Sequence, residues 1–465
     1  MENKYKYLMK NTAILSISSF SSKILVFIMV PLYTRILTTS EYGAYDLINT
    51  TIQLCMPILC ANIYEGVTVF LLDNKNNKNE VISIGIRYIS NGILLWTIFC
   101  LINRFLGIWA VLSNFLIASI LMFIASVYNQ FCIQVAKGFE EIRVMGIAGL
   151  IGTCITVFSN LLFLLFFKMG LLGFFIASIL GLFVPSLYIS LKIHIWRYFT
   201  LEFEDGIKRA MLAFSIPLIM NALGWWVNNV SDRYVVSFMC GIAANGIYSI
   251  SYKIPSILNI VQSIFTQSWQ ISAIKEYNKK GYQDFYGNML SVINVFLCLI
   301  CMILIANSKI IAYFLYAKDF FVAWKYVPFL LLSSLINADS GVLGPILSAK
   351  KNSKALAMSA IIGAIINVLL NFILISFIGV QGAAVATFAS SVVIFLVRKF
   401  AVGNDIHIVN NYQFLFTWFF VIIQAILLIR INSYIPQILC ILIYMIFYWK
   451  VLKNNSKKII GVMKK

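Results

Sequence analysis

The sequence predicts an all-α, polytopic membrane protein of about fourteen transmembrane helices: two pseudo-symmetric six-helix bundles plus two C-terminal helices. Three observations predict it: an apolar composition, apolar runs of membrane-spanning length, and lopsided placement of the basic residues. Of 465 residues, 61% are hydrophobic and 11% charged, with mean hydropathy +0.89. Soluble globular proteins carry about 25% charged residues. A soluble fold of this composition would hold more apolar surface than it could bury, which excludes a disordered chain and a soluble enzyme with a peripheral anchor.

A helical span needs about 20 apolar residues to cross a hydrocarbon core of about 30 Å. Apolar runs fall at roughly 11–35, 44–71, 81–105, 112–135, 144–167, 171–191, 210–231, 243–272, 287–306, 326–347, 355–376, 380–400, 413–429 and 434–449. The first and seventh are the most polar, being rich in Ser and Asn. An even number of spans places both termini on one side. With the amino terminus cytoplasmic, 25 of the 36 Lys and Arg lie in cytoplasmic segments, eight lie outside, and Lys23, Arg87 and Lys253 fall within spans. That threefold bias follows the positive-inside rule, so both termini are expected to be cytoplasmic. The basic start, Met1–Lys10, leads into an apolar run that passes Pro31 without a small-residue cleavage site. It reads as a retained first span rather than a signal peptide.

The net charge of +19 is thus a topology signal, and no nucleic-acid partner is expected. Eight of the nine cysteines lie in apolar runs and Cys240 lies between two of them; Cys298-x-x-Cys301 has no His or second Cys pair near it. They read as small apolar side chains within helices, and neither a metal nor a cofactor is expected. His194 and His407 sit in or beside loops. The longest loops, about 192–209 on the cytoplasmic side and about 307–325 outside, are too short to be domains.

An internal repeat orders the chain. GLLGFFIAS at 170–178 matches GVQGAAVAT at 379–387, and Gly152 and Asn160 answer to Gly363 and Asn371. Gly43-x-Tyr45 recurs as Gly246-x-Tyr248, and Arg35 pairs with Arg233. The expected organisation is an N-terminal six-helix half at 1–205, a C-terminal half at 206–404, and two appended helices with a basic tail at 405–465.

Polar groups inside spans tend to face a protein interior or a water-filled cavity. At about 100° per residue, Thr12, Ser16, Ser19 and Lys23 share one stripe of the first helix. Asn221, Trp225, Asn228 and Asp232 form a stripe on the seventh, and the Arg35/Arg233 offset superposes the two, setting Thr34 against Asp232. The second helix shows Asp46, Thr50, Gln53, Pro57 and Tyr64, and the eighth shows Ser249, Lys253, Ser256, Ser263 and Gln267. Four helices, two per half, are therefore expected to line a hydrated cleft. The competing reading is that Ser and Thr hydroxyls only bond their own helix or a neighbour.

Lys23 lies about 18 Å along its helix from either end of its span, at about 1.5 Å per residue, beyond the reach of snorkelling. Lys253 is nearly as deep. Glu65 and Asp339 are candidate ion-coupling carboxylates, although Glu65 and Arg87 are near enough to the membrane edge to pair or snorkel. Asp339 could equally partner a cavity lysine. Asp232–Arg233 could form a structural pair, and Pro31, Pro217 and Pro255 supply kinks.

NTAILSISSFSSKILVFIMVPLYTRILTTSEYGAYDL, residues 11–47, resembles the opening of bacterial polysaccharide (O-antigen- or capsule-type) flippases, in which PLYTR, a short turn and EYG-x-YDL follow one another. Asp232–Arg233 looks like the second-half counterpart. The resemblance implies the multidrug/oligosaccharidyl-lipid/polysaccharide exporter superfamily. It further implies transport of an oligosaccharide on undecaprenyl diphosphate across the bacterial inner membrane, for lipopolysaccharide or capsule biosynthesis. Membrane lipids, a polymerase and other polysaccharide-assembly proteins would be the partners. Relatives often carry Arg before the Phe near the end of the second helix; here EGVTVFLLD places Val69 there.

On this reading Lys23 and Lys253 meet the phosphates. Ser19, Gln53, Asn221, Asn228, Asp232, Ser256 and Gln267 line the cavity, and Trp225, Trp226 or Trp269 meets sugars. Two rivals stand beside it: an ion-coupled small-molecule antiporter of the same superfamily, and a membrane polymerase or glycosyltransferase. The latter typically places catalytic acids, Arg or His on a large outer loop, whereas the outer loop here carries one acid, Asp319, and no histidine.

Overall fold

The second to fourteenth apolar runs coincide with helical structure in a computed structural model, which describes residues 25, 27–73, 76–202, 204–277, 279–350, 352–406, 411–431 and 433–463. Most of the first run, including Ser19 and Lys23, lies outside these residues. Seventeen α-helices occur among the described residues, and no strand. They are α1 Val30–Ile36, α2 Thr39–Leu59, α3 Ile63–Leu72, α4 Lys78–Leu106, α5 Ala110–Asn114, α6 Leu116–Gly138, α7 Ile142–Asn160, α8 Gly170–Ile193 and α9 Asp205–Cys240. Then come α10 Ile242–Ser251, α11 Pro255–Glu276, α12 Tyr282–Leu315, α13 Val327–Ala349, α14 Ser353–Ile378, α15 Val380–Val402, α16 Asn411–Ile431 and α17 Tyr434–Met463. Among the described residues, nine helices are long and apolar enough to cross a membrane; α2 with α3 makes a tenth span, and α16 and α17 hold shorter apolar stretches. The protein is a multi-pass membrane protein.

Local chemistry sets the breaks. Thr38 separates α1 from α2 and caps α2 reciprocally: Glu41 N donates to Thr38 Oγ1 at 3.2 Å, and Thr38 N donates to Glu41 Oε2 at 2.8 Å. The second span is bent by 58° between α2 and α3. Pro57 removes one backbone donor, and Ala61 and Asn62, at φ 50° and 49°, close α2 in the left-handed region. The eighth span is interrupted as well: Lys253 N turns back to Ile250 O at 3.0 Å, and Pro255 opens α11 at its first position. Pro31 likewise stands at the start of α1, whereas α9 runs through Pro217. The outer segment expected at 307–325 is mostly helical, since α12 continues to Leu315 and a 3-10 turn spans Lys318–Lys325.

The chain forms two compact units, Met1–Val230 and Ser231–Lys465, so their boundary falls within α9. In the first unit α8 packs on α6 and α7, and α3 and α4 pack on α6. The amino-terminal part of α9 belongs here, anchored by Trp226 Nε1 donating to Thr50 O at 2.9 Å. In the second unit α15 packs on α13 and α14, α11 on α13, and α16 and α17 on α12. The α13 helix is the most enclosed of the spans, with 83% of its apolar window buried.

Candidate functional site

The repeated sequence motifs build matching corners in the two units. Gly170 and Gly379 open α8 and α15 at φ 54° and 60°, where a Cβ would be strained. Three residues on, Gly173 and Gly382 let each helix approach the preceding one: a Cβ on Gly382 would overlap the Leu374 carbonyl, and one on Gly173 would lie 3.1 Å from Phe163 O. That approach places Ser178 beside Tyr45, with their hydroxyls 2.9 Å apart, and Thr387 beside Tyr248, at 3.5 Å. Asn160 and Asn371, the repeat-related asparagines, are both fully buried, and each has a side-chain oxygen without a hydrogen-bond partner among the described residues.

The corners differ in one group. In the second unit Asp232, on α9, reaches the Tyr248 corner. Its Oδ2 accepts from the hydroxyls of Tyr248 and Tyr252, each at 2.6 Å, with Thr387 Oγ1 donating at 3.3 Å. Its Oδ1 accepts from Arg233 N at 2.9 Å, and the Arg233 guanidinium lies 5.4 Å above the Tyr252 ring. A second layer follows on α14 and α15. Asn367 Nδ2 lies 3.5 Å from both Thr387 Oγ1 and Ser390 Oγ, and Asn371 Nδ2 donates to Asn367 Oδ1 at 2.9 Å. In the first unit Thr34 holds the position the repeat sets against Asp232; it is fully buried, and its hydroxyl donates to Val30 O at 3.2 Å. The second unit therefore carries a buried carboxylate in a ring of hydroxyls and amides; the first has Thr34 at the matching position, and its buried carboxylate, Asp46, adjoins Tyr45 in the chain.

The remaining expected site residues are dispersed. Asn221, Trp225 and Gln53 are exposed, and Asn228 is half-buried with its amide bonded to Gly224 O at 2.8 Å. Asp232, expected on the same lining, is instead 3% exposed within the tyrosine ring. Trp226 and Trp269 are buried, their indole N–H groups bonded to Thr50 O and Val342 O, each at 2.9 Å, whereas Trp225 is 59% exposed. Lys253 and Ser256 are half-buried where α10 gives way to α11. The hydroxyls of Thr50, Ser249 and Ser263 return to carbonyls of their own helices, and that of Ser256 to Lys253 O in the break before α11. The side chain of Gln267, like Ser19 and Lys23, lies outside what is described.

Glu65 accepts from Gln134 Nε2 at 2.6 Å, and Thr68 braces that glutamine through its Oε1 at 2.8 Å. Asp339 is fully buried, bonded by Asn294 Nδ2 at 2.8 Å and Trp418 Nε1 at 3.1 Å rather than by a lysine. No group of three His, Cys, Asp or Glu suited to a metal occurs among the described residues. Cys298 and Cys301 are buried free thiols. A polar recess of about 380 Å³ lies between Asn77, Asn79, Glu80, Thr200, Glu202 and Glu204, but its three glutamates give it the wrong sign for a phosphate.

Sequence reasoning did not find Tyr252, Asn367 and Ser390. Tyr248, Asn371 and Thr387 entered only as repeat markers, and the signal available for the others was their placement one helical turn from those markers.

The profile of a family described as "Polysaccharide biosynthesis protein" matches residues 8–270. The chain belongs to this family. No curated protein sequence matched it. Among solved structures, the lipid II flippase MurJ in an inward closed conformation is similar at TM-score 0.72 and 17% identity, over 95% of this chain and 100% of that one. An inward-facing multidrug resistance MATE transporter of the MOP superfamily is similar at TM-score 0.68 and 13% identity, over 83% and 98%. A MOP superfamily transporter from Pyrococcus furiosus is similar at 0.58 and 13%, over 84% and 95%. The fold is shared with these flippase and transporter structures.

Proposed function

We propose that this protein flips an oligosaccharide linked to undecaprenyl diphosphate across the bacterial inner membrane, for surface polysaccharide assembly. The observation that carries the reading is the family match over residues 8–270 in a chain with the fold of a lipid flippase. A diphosphate and its sugars cannot cross hydrocarbon unaided, because their polar groups would lose water without replacement. A cleft of cations, amides and hydroxyls supplies the replacement while the lipid tail stays in the bilayer, and alternating access moves the headgroup between leaflets. Lys23 and Lys253 serve the phosphates in this reading; Asn221, Asn228 and Gln53 serve the glycan, with Trp225 as a sugar platform. Polymerase and other assembly proteins act on the delivered unit.

Deleting the gene in its own cell tests this. The expected result is loss of surface glycan with lipid-linked repeat units accumulating on the cytoplasmic leaflet, both reversed by the intact gene. Normal surface glycan, together with gained sensitivity to lipophilic cations, would instead favour the small-molecule antiporter that the MATE likeness keeps in view.

A further inference from the structure

We propose that Asp339 is a proton-binding site whose charge state sets how tightly α16 is held against α12 and α13. The inference does not depend on which substrate is carried. Asp339 sits in the most enclosed span and has no exposed surface. Its Oδ2 accepts two hydrogen bonds, from Asn294 Nδ2 on α12 and Trp418 Nε1 on α16, and its Oδ1 has no partner among the described residues. The Thr417 hydroxyl donates to Asn294 Oδ1 at 2.9 Å, which fixes the amide with its NH₂ toward the carboxylate. Cys298 and Cys301 on α12 and Tyr444 on α17 are the other titratable groups around it; Cys298 Sγ is bonded to Thr417 O at 3.8 Å and Tyr444 OH to Val295 O at 3.2 Å. From α11, Gln262 and Trp269 bond Asn337 O and Val342 O of α13; from α15, Arg398 donates to Ser340 O and Ser359 Oγ.

A carboxylate in hydrocarbon with one oxygen unpartnered is costly unless a cation joins it. The groups turned toward Asp339, an amide NH₂ and an indole N–H, are donors, and a donor shell does not coordinate a metal ion. A proton on Oδ1 needs no shell. Hydrogen bonds to a charged acceptor are roughly twice as strong as neutral ones, so proton uptake weakens the Trp418 and Asn294 bonds together. Both bonds bear on α16, the second through Thr417. Proton binding therefore loosens the first appended helix, and proton release tightens it.

Infrared difference spectra and amide hydrogen exchange of the purified full-length protein in lipid nanodiscs, each across the neutral pH range, test this. Acidification of the wild type should raise the C=O band of a neutral carboxyl and speed exchange in 416–431. Asp339→Asn should lack the band and exchange fast at every pH; Asp339→Glu should keep the band. Trp418→Phe should shift the band's frequency, because a hydrogen bond to the carboxyl is lost, and flatten the pH dependence of exchange. Trp418→Phe keeps the test decisive even if Asp339→Asn does not fold. A band that survives Asp339→Asn, one unmoved by Trp418→Phe, or one abolished by sodium at constant pH and ionic strength would overturn the assignment.

Discussion

Tyr45 and Ser178 meet hydroxyl to hydroxyl at 2.9 Å, and Tyr248 and Thr387, their counterparts in the sequence repeat, meet at 3.5 Å. At the longer pair the Tyr248 hydroxyl also donates to Asp232 Oδ2 at 2.6 Å, and Thr34, whose hydroxyl donates to Val30 O, stands at the matching position of the first unit. Matching glycines build both corners, and in the second a carboxylate stands where the first has Thr34.

That difference sets an order of mutational cost. Tyr248→Phe removes a bond to a charged acceptor and should destabilise the protein by about 1.5–3 kcal/mol, whereas Tyr45→Phe removes a neutral bond and should cost about 0.5–1.5 kcal/mol. Thermal or chemical unfolding in one detergent compares them. Equal losses would mean that Asp232 is not held by Tyr248 as an acceptor.

The motif glycines can be ranked in the same way. Gly382→Ala drives a methyl into the Leu374 backbone, while Gly173→Ala meets Phe163 and Met169 atoms at 3.0–3.1 Å, which need give only slightly. Overpacking costs about 1–3 kcal/mol, and Gly382→Ala should fall at the upper end of that range. Unfolding midpoints of the two variants check the order.

A pH effect is expected at the end of α15. Burial pushes the Asp405 carboxyl up, but hydrogen bonds from Lys350 and Tyr282 and the Lys350 charge outweigh it and hold the group below the usual carboxylate range. Lys350 Nζ is 2.7 Å from Asp405 Oδ2, and Tyr282 OH donates to Oδ1 at 2.9 Å. A depressed carboxylate contributes stability above its unfolded value and loses it as pH falls through the folded one. The melting difference between wild type and Lys350→Ala should be full at neutral pH and vanish in acid. A difference that persists in acid would mean Lys350 acts through its bond to Val402 O instead.

Hydration of the proposed cleft is tested by cysteine labelling. In a cysteine-free background, Asn228→Cys and Ser256→Cys, both half-buried positions, should react with small water-soluble thiol reagents. Leu258→Cys, with no exposed surface, should not. Equal labelling at all three would remove the basis for a polar lining on these helices.

The helical runs were legible because hydrophobic length belongs to the run itself. The two breaks were less so. Ala61 and Asn62 take left-handed φ without a glycine to announce it, and Pro255 reads equally as a kink within a helix or as the first residue of a new one. Helical periodicity placed Asp232 on a stripe with Asn221, but a stripe says which residues share a face and not what that face meets. Asn221 is exposed, while eleven residues on the same face turns into the Tyr248 corner. The hydroxyls of Thr50 and Ser256 show the same limit, since both donate to backbone carbonyls three or four residues back. The repeat was the more informative signal, because it encodes a pairing between distant elements.

The membrane potential should matter. Negative inside, it favours outward movement of an anion by about 2.3 kcal/mol per charge per 100 mV. Collapsing it with the proton gradient held should slow transport of a diphosphate-linked glycan, and an unchanged rate would mean that bound cations travel with the substrate.

The most direct test is flipping itself. The purified protein is reconstituted in vesicles with a fluorescent oligosaccharide on undecaprenyl diphosphate, and the measurement is the fraction open to an impermeant glycosidase added outside. The account predicts that the inner-leaflet pool becomes accessible in vesicles holding the protein, and that Lys253→Ala slows this at equal protein content more than Lys253→Arg does. Only the outer-leaflet pool being cleaved, as in protein-free vesicles, would contradict it.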